Sequence, residues 1–198
     1  MKYPLHLLKV MELLKKLPGV GSKSAERFAF QLLNWSTQDL QNFASLIQEI
    51  PVKLSTCHEC GCLEENEKCL FCTNDRIATK KLCIIASAKD AFAIESTGEY
   101  DGLYHILGGL LSPMDGIHSE KLQIEKLKFR IQTLQIKEIV IALDSTLEGD
   151  TTSLYLKKEL SPFVQSISRL AFGIPIGSSL DYVDGCTLAR AFAGRSLF

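Results

Sequence analysis

At 198 residues with 46% hydrophobic and 23% charged side chains, the chain is long enough for one sizeable core or two small ones and too apolar to be disordered. No stretch approaches the roughly 18 consecutive apolar residues of a membrane span, and Met1-Lys2-Tyr3-Pro4 lacks the apolar run of a secretory signal, so a cytoplasmic protein with no membrane partner is expected. A net charge of −1 excludes strong overall attraction to nucleic acid and leaves phosphate binding to local clustering.

One such cluster opens the chain. Through residue 34, Lys2, Lys9, Lys15, Lys16, Lys23 and Arg27 face only Glu12 and Glu26, a local charge of +4 that leaves −5 for the remainder. Apolar residues recur at helical spacing from Leu5 to Leu33, broken by Pro18-Gly19-Val20-Gly21, which predicts two helices joined by a tight turn. Gly19 and Gly21 permit backbone geometry that a side chain would obstruct, and Ser22 stands where an N-cap is expected. Outward-facing amides, the positive end of the helix dipole, and Lys23 and Arg27 one turn apart would then form an anion site. Such a site grips phosphate without reading bases. A Gly-rich turn with a solvated basic face, or a hairpin used in protein assembly, gives the same pattern. A third helix is predicted from Ser36, which has capping-box spacing with Asp39, through Leu40, Phe43, Ile47 and Ile50, with Pro51 as its stop.

From Cys57 to Cys72 the chain is short, polar and too poor in apolar residues to build a core. The spacing Cys57-x2-Cys60-x8-Cys69-x2-Cys72 lets four thiolates converge on one metal ion. In a reducing compartment this favours a structural Zn²⁺, one per chain, over disulfides. Four thiolates leave no open position for water, so the ion is expected to hold the fold and not to catalyse. His58 and Cys62 break the paired spacing and are read as bystanders, Cys83 and Cys186 as packing residues. The finger carries a local charge of −3 over Cys57 to Arg76, a poor phosphate grip, and is expected to brace a domain junction or meet a partner.

After Lys80, short apolar runs at Leu82–Ile85, Tyr104–Leu107 and Ile139–Leu143 alternate with helical stretches such as Glu120 to Leu134, predicting a small α/β domain on a mostly parallel sheet. The segment from Ala142 to Asp150 follows a strand and precedes a helix, where such folds place ligand sites. It resembles the Toprim domain of topoisomerases, primases and some nucleases, which sets a glutamate after its first strand and an Asp-x-Asp after a later one. Here Ala86 stands in place of the glutamate, Asp144 matches the first aspartate, and Thr146 replaces the second. Asp144, Glu148 and Asp150 are therefore read as a degenerate acidic site, a partner surface or a weak cation site, and Mg²⁺ chemistry is not expected. His6, His105 and His118 have no nucleophile at catalytic spacing, and no Gly-x4-Gly-Lys-Ser/Thr loop occurs, so no enzyme is expected.

The hairpin Leu14-x2-Leu17-Pro18-Gly19-Val20-Gly21 resembles the helix-hairpin-helix motif of DNA repair proteins. Together with the four-cysteine finger, Tyr104-His105-Ile106-Leu107-Gly108-Gly109, Leu111-Ser112-Pro113-Met114-Asp115-Gly116-Ile117, and the phrases from Gly173 to Arg195, it makes the whole chain similar to the RecR family of bacterial recombination mediators. The resemblance implies a non-catalytic, DNA-binding protein in the bacterial cytoplasm, associated with the nucleoid. It would act with RecO and RecF to load recombinase on gapped or single-stranded DNA. It also implies DNA contacts at Gly19, Gly21, Lys23 and Arg27, and assembly to a dimer or tetramer through the C-terminal segment. That segment, glycine-rich and carrying Pro175, is expected as a constrained tail. The layout is thus α+β in several parts: residues 1–54 as the helix-hairpin-helix region, 55–78 as the finger, 79–172 as the Toprim-like domain and 173–198 for oligomerisation. The alternatives are a divergent Toprim metal-dependent nuclease or topoisomerase, which Ala86 and Thr146 disfavour, and an adaptor that binds only protein.

Overall fold

The computed structural model of the chain describes residues 3–171 and 173–195, which places Lys2 of the basic cluster and residues 196–198 of the C-terminal segment outside it. The chain divides into two compact units, one up to Leu54 and one from Ser55 onward.

The first unit holds α1 (Leu5–Leu14), α2 (Ser22–Leu32) and α3 (Thr37–Lys53). Among its described residues only Ala25 and Ala29, one turn apart on α2, are buried. Ser36 caps α3 as expected, accepting from the Asp39 amide at 3.1 Å. Two expectations need correction. Gly21, not Ser22, is the N-cap of α2: it is extended (φ −81°, ψ 178°), its carbonyl accepts from the Ala25 amide at 2.9 Å, and Ser22 is already helical. Nor does Pro51 end α3. It lies in the last turn, and the helix runs on to Lys53, with the Leu54 amide donating to the Ile50 carbonyl at its end. The apolar stripe of α3 is largely uncovered, with Leu46 64% and Ile50 51% exposed.

β1 (Leu54–Thr56), which starts at the last residue of the first unit, forms a small sheet with β2 (Leu63–Glu65) and β3 (Lys68–Cys69). β2 and β3 are antiparallel around a turn at Asn66 and Glu67, both in the left-handed region at φ 50° and 62°. There follow α4 (Asn74–Thr79), β4 (Lys81–Ile85), α5 (Ala88–Glu95), β5 (Leu103–Ile106), α6 (Ile124–Leu134), β6 (Glu138–Ala142), α7 (Leu147–Leu160), β7 (Ser166–Arg169) and α8 (Gly185–Ala193). The main sheet has the order β5-β4-β6-β7 and every pairing in it is parallel. β4 is central, with Leu82 set against Leu103 on one side and Ile139 on the other. Burial on both faces explains its unbroken Leu82-Cys83-Ile84-Ile85 run.

One face of this sheet (Leu82, Ile84, Leu103, Ile139, Ile141) packs against Leu127 and Ile131 of α6 and Leu156 and Leu160 of α7. The other face (Cys83, Ile85, Tyr104, Ala142) packs against Ala91 of α5 and against the finger, through Cys57, Cys60, Cys62 and Phe71. The finger therefore shares a core with the sheet. Arg76 of α4 reinforces the junction, donating to both carboxylate oxygens of Glu95 at 2.9 and 2.6 Å while lying over the rings of Phe71 and Tyr104.

Three further departures from the sequence expectation are local. The helix expected from Glu120 begins at Ile124, because Ser119–Leu122 forms a 3₁₀ turn and Gln123 takes φ 48°. The C-terminal segment is not all constrained tail: Asp184 caps α8, accepting from the Cys186 and Thr187 amides at 3.0 Å each. Cys83 is buried, its thiol pushed up to about 12 by that burial, whereas Cys186 is exposed at the start of α8 and packs no core.

Candidate nucleic-acid interface and metal centre

In the first unit, α1 closes through short turns at Lys16 and Leu17, and Val20 donates to the Leu17 carbonyl at 3.1 Å. Gly19 then takes φ 80°, a conformation that side chains rarely adopt. Cβ atoms built at Gly19 or Gly21 would meet nothing within 4 Å, so both glycines face open space. Gly21 has no side chain with which to cap α2, and among the described residues no side-chain acceptor meets the amides of that helix's first turn. Lys23 and Arg27 are both exposed, four residues apart and so on one face of α2. Neither enters an ion pair among the described residues, unlike Lys15, which is tied to Glu12 at 2.8 Å. Glu26, the nearest carboxylate in sequence, accepts from the Tyr3 hydroxyl at 2.7 Å. The turn thus presents partial positive charge from the backbone beside full positive charge from two exposed side chains.

In the second unit the sulfurs of Cys57, Cys60, Cys69 and Cys72 all lie within 4.8 Å of one another. Cys57 and Cys72 are 4.0 Å apart and Cys60 and Cys69 3.5 Å apart. These bracket the separation of about 3.8 Å that four sulfurs take around an ion at about 2.3 Å in a tetrahedron. Backbone amides already point at the ligands: Cys62 N–H donates to Cys60 Sγ and Phe71 N–H to Cys69 Sγ, both at 3.4 Å. Gly61 makes the first of these turns possible at φ 79°. The four cysteines can therefore hold a metal ion, and the donor set is compatible with zinc. Hydrogen bonds from Cys62 and Cys72 draw the Cys60 thiol far down, while a hydrogen bond to Cys60 and then burial push Cys72 far up. His58 and Cys62 stand outside the converging group. His58 is exposed and contributes only its carbonyl, which accepts from Lys126 Nζ, and Cys62 is fully buried against the sheet.

The degenerate acidic site is dispersed over a loop and a helix. Asp144 and Glu148 are exposed at the C-terminal end of β6 and the start of α7. Thr146 has become the N-cap of α7, its hydroxyl accepting from the Gly149 amide at 3.1 Å. A Cβ at Gly149 would lie 1.9 Å from the Asp144 carbonyl oxygen, so the loop folds directly onto the helix. Asp150 turns away from its acidic neighbours: one carboxylate oxygen accepts from Arg169 and the other from Arg190, the latter at 2.7 Å. The Arg169 hydrogen bond above all, with the charges of Arg169 and Arg190 and against the opposing effect of burial, holds the Asp150 carboxyl below the usual carboxylate range. Ala86 is partly buried against the core beneath. Among the described residues Asp144, Glu148 and Asp150 are not brought together as ligands.

Residues that motif logic passes over lie between finger and sheet. Arg130 is only 4% exposed, on the face of α6 that also buries Ile124, Leu127 and Ile131. An arginine at a core-facing helical position was the one available signal. His105 is buried on β5 with neither ring nitrogen hydrogen-bonded among the described residues, and burial, aided by the charges of Arg130 and Lys126, pushes it down to about 3, so it is neutral.

The family description "RecR, helix-hairpin-helix" matches residues 7–50, "Toprim domain" residues 80–171, and "RecR, C-terminal" residues 173–196. A protein named recombination protein RecR from Protochlamydia amoebophila (strain UWE25) is 57% identical over 198 residues, covering 100% of both chains. One of the same name from Chlamydia felis (strain Fe/C-56) is 48% identical, covering 99% of this chain and 98% of its own. Another, from Chlamydia pneumoniae, is 47% identical over 196 residues and 98% of each chain.

Proposed function

Because the chain belongs to the RecR family of recombination proteins, with a role in recombinational repair, we propose that it works there as a non-catalytic mediator that grips DNA through the hairpin. The observation that carries this assignment is the uncapped start of α2 beside exposed Lys23 and Arg27, with Gly19 and Gly21 leaving the approach open. Backbone amides and two cations hold phosphate at any sequence, which suits a protein that must act wherever a gap occurs. In this scheme RecO and RecF are the partners with which it loads recombinase on gapped or single-stranded DNA.

The four cysteines hold one structural Zn²⁺, which with four thiolates has no position for substrate. The acidic site serves as a partner surface: two arginines engage Asp150, and a cap replaces its second aspartate. Self-association to a dimer or tetramer covers the apolar side chains left open on α3 and in the segment from residue 173. No described helix is long and apolar enough to cross a membrane, and a cytoplasmic location at the nucleoid fits work on DNA.

Retardation of gapped DNA by zinc-loaded protein in the presence of Mg²⁺, with the same DNA examined for strand breaks, tests the whole assignment. Binding that weakens steeply with salt and leaves the DNA intact is expected. Broken or relaxed DNA would overturn the non-catalytic assignment, and an absence of binding would move DNA contact to a partner.

A further inference from the structure

We infer that Arg130 is the charge partner of the metal centre: it donates an N–H···S hydrogen bond to a ligand thiolate, balances part of the charge of the metal–thiolate complex, and so makes metal retention and stability of the α/β core one property. This rests on the proposal that the four cysteines hold Zn²⁺.

Arg130 is a nearly fully buried guanidinium. A buried cation is tolerated when a counter-charge and hydrogen bonds replace its water. Its described hydrogen bonds supply only part of that. Nη1 donates to the Tyr104 carbonyl, Nη2 donates to Cys72 Sγ at 3.5 Å, and Nε has no partner among the described residues. No carboxylate forms an ion pair with it among the described residues, and neighbouring His105 is neutral. Among the described residues the Cys72 sulfur is the group in hydrogen-bond reach that metal binding would make anionic, and a neutral thiol there would leave the guanidinium uncompensated. Four thiolates around a divalent ion carry two net negative charges, and Glu59, Glu65 and Glu67 of the finger are exposed. Burial of Arg130 is thus accounted for by a cluster that is ionised and metal-bound.

The same helix makes a second attachment. Lys126, one turn before Arg130, donates to the His58 carbonyl inside the first Cys-x2-Cys knuckle. From the other side, the Ile106 amide of β5 donates to the Cys60 carbonyl at 2.8 Å. The finger is therefore held by α6 and β5 together, and Arg130 is the member of that set which touches a ligand atom. It is a positioning residue, acting on the metal through Cys72.

The test is a competition titration of the full chain against a chromophoric chelator, with thermal melting of the metal-loaded and metal-free forms. Arg130→Met keeps length and apolar bulk but removes charge and donors. It is expected to lose metal about 10- to 100-fold more readily and to melt lower than wild type when loaded, yet as high or higher when metal-free, because the uncompensated charge is gone. That reversal of order separates a charge partner from a residue that only packs. Arg130→Lys, which restores the charge, is expected to recover part of the metal affinity, and it carries the same comparison should Arg130→Met fail to fold. Unchanged metal affinity, or equal destabilisation of both forms, would overturn this inference and leave the zinc assignment standing. A wild-type chain that takes up no metal would overturn both.

Discussion

Arg190 of α8 reaches Asp150 of α7 with a hydrogen bond of 2.7 Å, and so fastens the C-terminal helix to the edge of the degenerate acidic site. Arg169 holds the other oxygen of the same carboxylate. A position that invites a cation in the sequence is filled by two guanidinium groups of the chain itself.

Asp150→Asn should therefore free α8 without harming the sheet. Its amide protons should exchange faster while those of β4 and β6 stay protected, at a cost of about 1 kcal/mol for a partly exposed pair. The pH dependence has a definite sign. The carboxyl is held below its unfolded value, so the contribution is full above about pH 4 and disappears as acid takes the solution down through the lower folded value. Exchange of α8 that is unchanged in the variant, or insensitive to acid, would contradict the attachment.

Replacing Lys23 and Arg27 together by Ala should weaken binding to gapped DNA of any sequence. The plot of log affinity against log salt should flatten by about 2, one for each phosphate no longer neutralised. Oligomeric state and melting temperature should not move, since both side chains are exposed. An unchanged slope would mean that the hairpin does not meet DNA.

Removing the metal should do more than loosen a finger. Because Cys57, Cys60 and Cys62 share a core with Cys83, Ile85 and Tyr104, chelation should lower the melting temperature of the whole second unit. Thiolate ligands must lose protons before they bind, so metal affinity should rise with pH, and uptake should acidify a weakly buffered solution. Uptake without proton release would rule out thiolate ligation.

Gly149→Ala should run against the usual trend. In most helices alanine is favoured over glycine by about 1 kcal/mol. Here the new Cβ would fall 1.9 Å from the Asp144 carbonyl oxygen, a backbone atom, so the loop must move and urea denaturation should show a loss. A gain in stability would mean that the loop does not lie on α7.

Much of the molecule was legible in the sequence because its signals are short-range. The turn at Gly19 and Gly21, the two Cys-x2-Cys knuckles, the Ser36 cap and the apolar runs of β4, β5 and β6 each depend on residues within a few positions of one another. Boundaries were less exact wherever one residue decided them, as at Pro51 and Gln123. β7 was missed because Ser166-Ile167-Ser168-Arg169 lies at the sheet edge, where burial asks for no apolar run.

By itself the sequence determined the hairpin, the four cysteines that can hold a metal ion, the parallel α/β class and the loss of two Toprim acids. Tertiary structure alone decided that the finger packs into the sheet, that Arg130 lies against Cys72 fifty-eight residues away, and that Asp150 is taken by Arg169 and Arg190. Local spacing records which atoms a backbone can bring together within a turn or a knuckle. Which buried charge meets which counter-charge is set by how strands align and helices pack, and that depends on the whole chain at once.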